Sequence, residues 1–253
     1  MERVTFKNSR GLTLVGNFHP ALSKSAIVLA HGFTSDRSSD GRFERLGKSL
    51  HSMGYCVLAF DFSGCGESED DILDIDHQID DLKSAISFVQ SNGAEKLGLH
   101  GHSLGSLICL KSFSSAIATM VLTGALTDKM RYDWSQIFAA DQLRQLEERG
   151  YLVATDRTGR ERKIGRRILE DFALIDQKSL LQNITCPLLI IHGNDPGDWE
   201  EQELLKRSRS GMKYLSSDSR LEIIEGGNHG LRNQYEKVIE LAKNWYQRHL
   251  PIS

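Results

Sequence analysis

The chain is short of several features that would classify it quickly, and each shortage excludes something. Its 253 residues hold only 4 cysteines and 4 prolines. Cys56, Cys65, Cys109 and Cys186 are scattered and form no CxxC pair. That pattern excludes a disulfide scaffold and fits reduced, buried thiols of a cytoplasmic protein. Charge of one sign is missing too: 31 basic against 34 acidic groups leave a formal charge of −3. With no basic excess there is no electrostatic footprint for nucleic acid. No stretch approaches the roughly 20 apolar residues that cross a bilayer. The start Met1-Glu2-Arg3-Val4-Thr5-Phe6 lacks the apolar run of a secretion signal, so the expected location is cytoplasmic. No metal-ligand spacing and no phosphate-cradling glycine loop occurs, so neither metal nor cofactor is expected. Glycine, by contrast, is plentiful at 22 residues, and its placement carries the rest of the reading.

Strands and helices alternate along most of the chain. Segments 4–7 and 12–18 read as a hairpin around Asn8-Ser9-Arg10-Gly11. The continuous apolar runs at 26–30 (AIVLA) and 55–60 (YCVLAF) have the pattern of strands buried on both faces. Further strands are expected at 96–100, 119–123, 188–191 and 221–224. Helices are expected at 43–53, 77–90, 104–113 and 200–207, with a last one carrying Tyr235, Val238, Leu241, Ala242 and Trp245 inward. The alternation implies an α/β fold, a mostly parallel sheet with helices on both faces. Residues 127–183 interrupt it: they are more polar, with a helix expected at 135–149 and a small hairpin at 151–164 turning at Asp156-Arg157-Thr158-Gly159. A connector of that length without a sheet strand reads as an inserted cap, leaving 1–126 and 184–253 as the core.

The sharpest motif is Gly101-His102-Ser103-Leu104-Gly105, between an expected strand and an expected helix. It is a G-x-S-x-G nucleophile elbow in the required strand–turn–helix setting. Side chains at 101 and 105 would collide with the neighbouring strand and helix, so glycine there lets the turn push the Ser103 hydroxyl out at the carboxyl edge of the sheet. The helix N-terminus at Leu104 favours negative charge developing at the same point. A serine hydroxyl needs a base. His229, in Glu225-Gly226-Gly227-Asn228-His229-Gly230 after the last expected strand, returns to that edge. His100, His102 and His192 flank tight turns and are expected to be packed supports, while His19, His51, His77 and His249 are expected at the surface.

The acid that steadies the base is expected after strand 188–191, in His192-Gly193-Asn194-Asp195-Pro196-Gly197-Asp198-Trp199-Glu200-Glu201. Asp198 with Glu201 three residues later has a structural task as a helix capping box. Asp195 is favoured, and Asp198 is the alternative. Ala30-His31-Gly32-Phe33-Thr34 can aim the Phe33 amide above Ser103, where it forms an oxyanion hole with the Leu104 amide.

The order Ser103, acid, His229, with His31-Gly32 upstream, resembles the α/β-hydrolase superfamily across essentially the whole chain. Asp61-Phe62-Ser63-Gly64-Cys65-Gly66-Glu67-Ser68 resembles that superfamily's D-x-x-G-x-G-x-S turn. The usual H-G-x-x-D pattern would put the acid at Pro196, so here the acid is shifted. By its helix and hairpin, the insertion is similar to the caps of small bacterial carboxylesterases of the cinnamoyl/feruloyl esterase type. The resemblance implies a serine esterase acting on a small-molecule ester through a Ser-His-Asp triad and an acyl-enzyme. Thioesterase, amidase or acyltransferase chemistry uses the same machinery, and a hydrolase-fold ligand receptor is the alternative from another class. In the expected cap, Tyr132, Trp134 and Phe138 either line an acyl pocket or dock the cap. The basic run Arg157, Arg160, Arg162, Lys163, Arg166 and Arg167 reads as a solvated hairpin, with attraction of a substrate carboxylate or phosphate as the alternative.

Overall fold

The computed structural model describes residues 1–156 and 159–252. Eleven strands and eight α-helices are present among them. The hairpin forms as expected, from β1 (Glu2–Lys7) and β2 (Thr13–His19). The main sheet continues through β3 (Ser25–Ala30), β4 (Cys56–Phe60), β6 (Lys96–His102), β7 (Ile117–Thr123), β10 (Leu188–Gly193) and β11 (Arg220–Ile224). Its order is β1-β2-β4-β3-β6-β7-β10-β11. From β4 to β11 every neighbouring pair is parallel, and only β2 runs against the rest.

Alternation along the inner strands divides the core into two layers. On β3, Ile27 and Leu29 face a cluster built with Phe43, Leu46 and Leu50 of α1 (Arg42–Ser52) and Val238, Ala242 and Trp245 of α8 (Tyr235–His249). Ala26, Val28 and Ala30 face the other side, with Leu82 and Ala85 of α2 (Ile75–Ser91), Leu107 and Ile108 of α3 (Leu104–Lys111), and Leu204 of α7 (Trp199–Gly211). Burial on both faces is what the continuous apolar runs encode.

Not every surface expectation holds. His19 at the end of β2 is 7% exposed. It points beneath α1, where its ring lies 5.2 Å from that of His51; burial, with nearby positive charge, lowers its pKa to about 4. His51, His77 and His249 are half-buried.

Between β7 and β10 the chain builds a short 3-10 turn at Trp134–Gln136, α4 (Ala140–Arg149), β8 (Tyr151–Thr155), β9 (Glu161–Gly165), α5 (Arg166–Leu174) and α6 (Gln177–Leu181). The helix expected at 135–149 starts late because Ala139 is extended (φ −67°, ψ 156°) and its amide donates to the Gln142 side chain at 3.0 Å. The hairpin forms, although Arg157 and Thr158 of its turn lie outside the described residues. It is extended by β5 (Ile72–Leu73), a two-residue strand from the core that pairs parallel with β9.

Part of the basic run has a different occupation from either expectation, while Lys163 and Arg167 stay exposed as a solvated hairpin implies. Arg160 donates to the Ser68 carbonyl at 2.9 Å, to the Gly66 carbonyl and to Asp70. Arg162, buried, donates to the Gly64 carbonyl at 2.6 Å and to Asp156. Arg166 donates to the Leu146 carbonyl and Arg167 pairs with Asp76. These arginines therefore latch the hairpin onto the 64–70 turn of the core and the neighbouring helices. Arg157 lies outside the described residues. No helix among them is long and apolar enough to cross a membrane.

Candidate active site

The elbow forms at the β6–α3 junction. Ser103 sits at φ 54°, ψ −123°, a conformation costly for a side-chain-bearing residue and characteristic of functional turns. Its glycines do the steric work expected of them. A Cβ on Gly101 would lie 2.6 Å from the Gly105 carbonyl oxygen, and one on Gly105 would overlap the Ala30 carbonyl. The Ser103 amide donates to Thr123 of β7 at 2.9 Å, which ties the elbow to the next strand.

His229 reaches the elbow from the loop after β11, and its Nε2 lies 3.0 Å from Ser103 Oγ. Gly124, at φ +53°, clears the way: a Cβ there would come within 2.6 Å of His229 Cε1. The sequence reading missed that glycine. It follows β7 directly, which is a signal that could have found it.

The partner of His229 Nδ1 is neither expected aspartate. Glu201 Oε2 lies 2.8 Å from Nδ1. Asp195 instead turns its Oδ1 to the Gly197 amide at 2.9 Å, in the turn beside Pro196. Asp198 caps α7 as the capping-box pattern foretells, taking the Glu201 amide on Oδ1 at 3.1 Å. Its Oδ2 takes the His229 amide at 2.7 Å. The assignment of Asp195 is thus corrected: its side chain stays with its own turn. Glu201, at the third helical position, projects from α7 across to the histidine. In a capping box a glutamate at this position reaches back to accept from the N-cap amide; here the carboxylate is buried and engaged elsewhere. Its Oε1 accepts from His192 Nδ1 and from the Gly193 amide, each at 2.8 Å.

These contacts set the charge states. Burial alone would push the Glu201 carboxyl up, but the hydrogen bonds from His192 and His229 hold it far below the usual carboxylate range. Burial disfavours charging His229, yet Glu201, helped by Glu200 and Asp198, outweighs it and raises the imidazole above its ordinary value. Since an ionised carboxylate only accepts, His229 carries its proton on Nδ1, and Nε2 is left to accept from the Ser103 hydroxyl. His102, one of the expected supports, is held neutral by burial, Arg42 and His229. Its Nδ1 lies 3.0 Å from Thr123 Oγ1 and its Nε2 3.3 Å from an Arg42 nitrogen. Arg42 also donates to the Gly230 carbonyl at 2.6 Å, steadying the histidine loop.

The His31-Gly32 turn closes the other side. A Cβ on Gly32 would lie 3.3 Å from Ser103 Cβ, so the chain passes close over the serine just before Phe33. His31 is buried; its Nε2 accepts from the Phe62 amide at 3.2 Å and its Nδ1 donates to the Gly32 carbonyl at 2.9 Å. The 61–68 turn thereby supports the 31–34 turn. Leu104 is the first residue of α3, so its amide has no partner within the helix.

A cavity of about 650 Å³ opens at this point, lined by Ser103, His229, Phe33 and Leu104. Tyr132 and Trp134 line it, the first of the two readings left open for them, joined by Phe172, Trp199 and Glu200, which were not anticipated. Phe138 does not line it; the residue is 8% exposed and stacks behind Trp134 at 5.9 Å. The Tyr132 hydroxyl donates to Glu200 at 2.7 Å.

An eight-stranded, mostly parallel sheet with a serine at the β6–α3 elbow is the architecture of an α/β hydrolase. The description of the alpha/beta hydrolase family matches residues 27–241, and the chain belongs to that family. Its fold is similar to that of the alpha/beta hydrolase GrgF from Penicillium sp. sh18, at 18% identity, over 98% of each chain and with a TM-score of 0.76. It is equally similar to Est1E from Butyrivibrio proteoclasticus, solved with ferulic acid bound, at 18% identity over 98% of this chain and 99% of that one (TM-score 0.76). An esterase from Exiguobacterium antarcticum matches at 18% identity over 97% of this chain and 100% of the other, with a TM-score of 0.71.

Proposed function

We propose that the protein is a serine hydrolase of carboxylic esters in which Ser103, His229 and Glu201 are nucleophile, base and acid. The observation that carries this reading is the continuous pair of contacts Ser103 Oγ–His229 Nε2 at 3.0 Å and His229 Nδ1–Glu201 Oε2 at 2.8 Å. His229 takes the hydroxyl proton as Ser103 Oγ bonds to the acyl carbon. The negative charge moves to the carbonyl oxygen, facing the Phe33 and Leu104 amides and the positive end of α3. Collapse of this intermediate breaks the bond to the alcohol oxygen, which leaves with the proton from His229. Water, deprotonated by His229, then attacks the acyl carbon; the bond to Ser103 Oγ breaks, Oγ takes back the proton from His229, and the acid is released. Glu201 stays ionised throughout and stabilises the imidazolium.

The 127–183 segment acts in this reading as a cap over the core formed by 1–126 and 184–253. It supplies Tyr132, Trp134 and Phe172 to a largely aromatic wall, which suits a small, flat or apolar acyl group. The ferulic acid bound to Est1E supports that choice of substrate class. No anionic group on the substrate is called for, because the described arginines of the expected run are engaged with the core or with neighbouring helices.

The test is Ser103→Ala against a series of p-nitrophenyl esters, with a fluorophosphonate probe beside it. Loss of kcat by about 10⁴-fold or more, together with loss of labelling, is expected from removing a nucleophile. Unchanged turnover by the variant would overturn the mechanism.

A further inference from the structure

Glu201 is held by two histidines, and only one of them faces the cavity. His192 is 0% exposed, at the next-to-last position of β10, and both of its ring nitrogens are occupied. Nδ1 meets Glu201 Oε1 at 2.8 Å; Nε2 meets Ser208 Oγ at 2.9 Å, on the same helix as Glu201. Ser208 in turn lies 3.1 Å from Thr127 Oγ1, and both hydroxyl residues are fully buried. The directions follow from Glu201. A carboxylate only accepts, so His192 donates from Nδ1, its Nε2 accepts the Ser208 proton, and Ser208 accepts from Thr127. Glu201 Oε1, both His192 nitrogens and the Ser208 and Thr127 hydroxyls all have partners in that one arrangement.

Such an anchor has a reason to exist. An acid on the loop after a strand is aimed by its backbone, whereas Glu201 extends from a helix through three side-chain torsions. Loss of one fixed oxygen would let the carboxylate rotate away from His229. We infer that His192 is a positioning residue for the reaction. Its Nδ1–H pins Oε1 so that Oε2 remains on His229 Nδ1, and Ser208 with Thr127 fixes the ring that does so. The inference rests on the Ser103–His229–Glu201 reading.

Two substitutions separate its two bonds. The His192→Asn amide can stand where Nδ1 stands and still donate to Glu201, but it no longer reaches Ser208. His192→Gln places its amide near Nε2, keeping Ser208 and leaving Oε1 with the Gly193 amide alone. With p-nitrophenyl acetate, H192Q should lose about 10- to 100-fold in kcat, the range expected for one hydrogen bond to a charged group. Its KM should stay unchanged, and the acid limb of its kcat/KM profile should move to lower pH because His229⁺ loses part of its partner. H192N, which keeps the donor to Glu201 and loses only the bond to Ser208, should lose clearly less kcat than H192Q and keep its acid limb nearer the parent's, while thermal unfolding shows both variants folded. Equal losses in the two variants, or losses that follow unfolding temperature with the pH limb unmoved, would refute positioning and leave a packing role. Ester turnover surviving in Ser103→Ala would instead bring down the underlying mechanism.

Discussion

Two junctions at the carboxyl edge of the sheet supply the ends of the proposed triad, and they are built by different means. At β6–α3 the backbone does the work. Ser103 is forced to φ 54° between two glycines whose Cβ positions are filled by neighbouring main chain. At β10–α7 the backbone only brings candidates near: Asp195, Asp198, Glu200 and Glu201 fall within seven positions. Which of them meets His229 is decided by side-chain reach and by the phase of α7. A position set by main-chain sterics tolerates few residues and leaves a motif. One set by rotamers leaves several equivalent candidates in the sequence.

The most severe way to test this contrast is to change the carboxylates one at a time. Glu201→Gln should lower kcat by about 10⁴-fold, since an amide there favours the wrong histidine tautomer, while the fold persists. Asp195→Asn, in a turn of its own, should stay within about twofold of the parent, as substitutions away from special features do. Steady-state kinetics on a p-nitrophenyl ester decide it, and the reverse ranking would restore Asp195 as the acid. The pH profile adds a sign. His229 has a raised pKa in the parent, so activity is lost as pH falls through a value above 6.5. In Glu201→Gln the limb should move to lower pH.

The second contrast is one of stability. Gly105→Ala would drive a methyl group into the Ala30 carbonyl oxygen, and overpacking against main chain costs about 1–3 kcal/mol or more. Gly197→Ala at the other junction meets only the Asp195 side chain, at 3.3 Å, with nothing else closer than 3.9 Å. Urea midpoints should fall clearly for the first and hardly for the second. Equal midpoints would mean that the elbow is no more constrained than the acid loop.

What could be read from sequence follows the same division. The sheet strands, the elbow, the His31-Gly32 turn and the histidine loop were legible because buried strands and tight turns constrain residue type directly. Glu201 was not, because the capping pattern gave it a complete local explanation and hid its reach to His229. Phe138 stands with Tyr132 and Trp134 in the expected cap, yet the 3-10 turn at Trp134–Gln136 sends it behind the wall rather than onto it. Strand β5 escaped because two residues carry no periodicity, and its pairing with β9 spans some 90 positions. The basic run looked solvated because nothing local shows that Arg160 and Arg162 find carbonyls of the 64–68 turn.

The smallest predicted effect concerns Asp198, where the two kinds of construction meet. One oxygen fixes the start of α7 through the Glu201 amide, and the other fixes the loop through the His229 amide. A single carboxylate therefore sets the distance between base and acid. Asp198→Ala removes both contacts and should cost about 0.5–2 kcal/mol in stability, the range for a lost N-cap. A several-fold fall in kcat should accompany it. Asp198→Asn keeps an oxygen for the cap but turns an N–H donor toward the His229 amide, so its stability should exceed that of Asp198→Ala while its kcat does not. Its charge is also gone, and with it one of the lesser causes raising the His229 pKa, so the acid limb should move slightly to lower pH in both variants. Thermal unfolding and kcat/KM profiles measured together separate the two tasks. If kcat recovers in step with stability in Asp198→Asn, the contact to the His229 amide has no part in setting the base, and Asp198 is a helix cap alone.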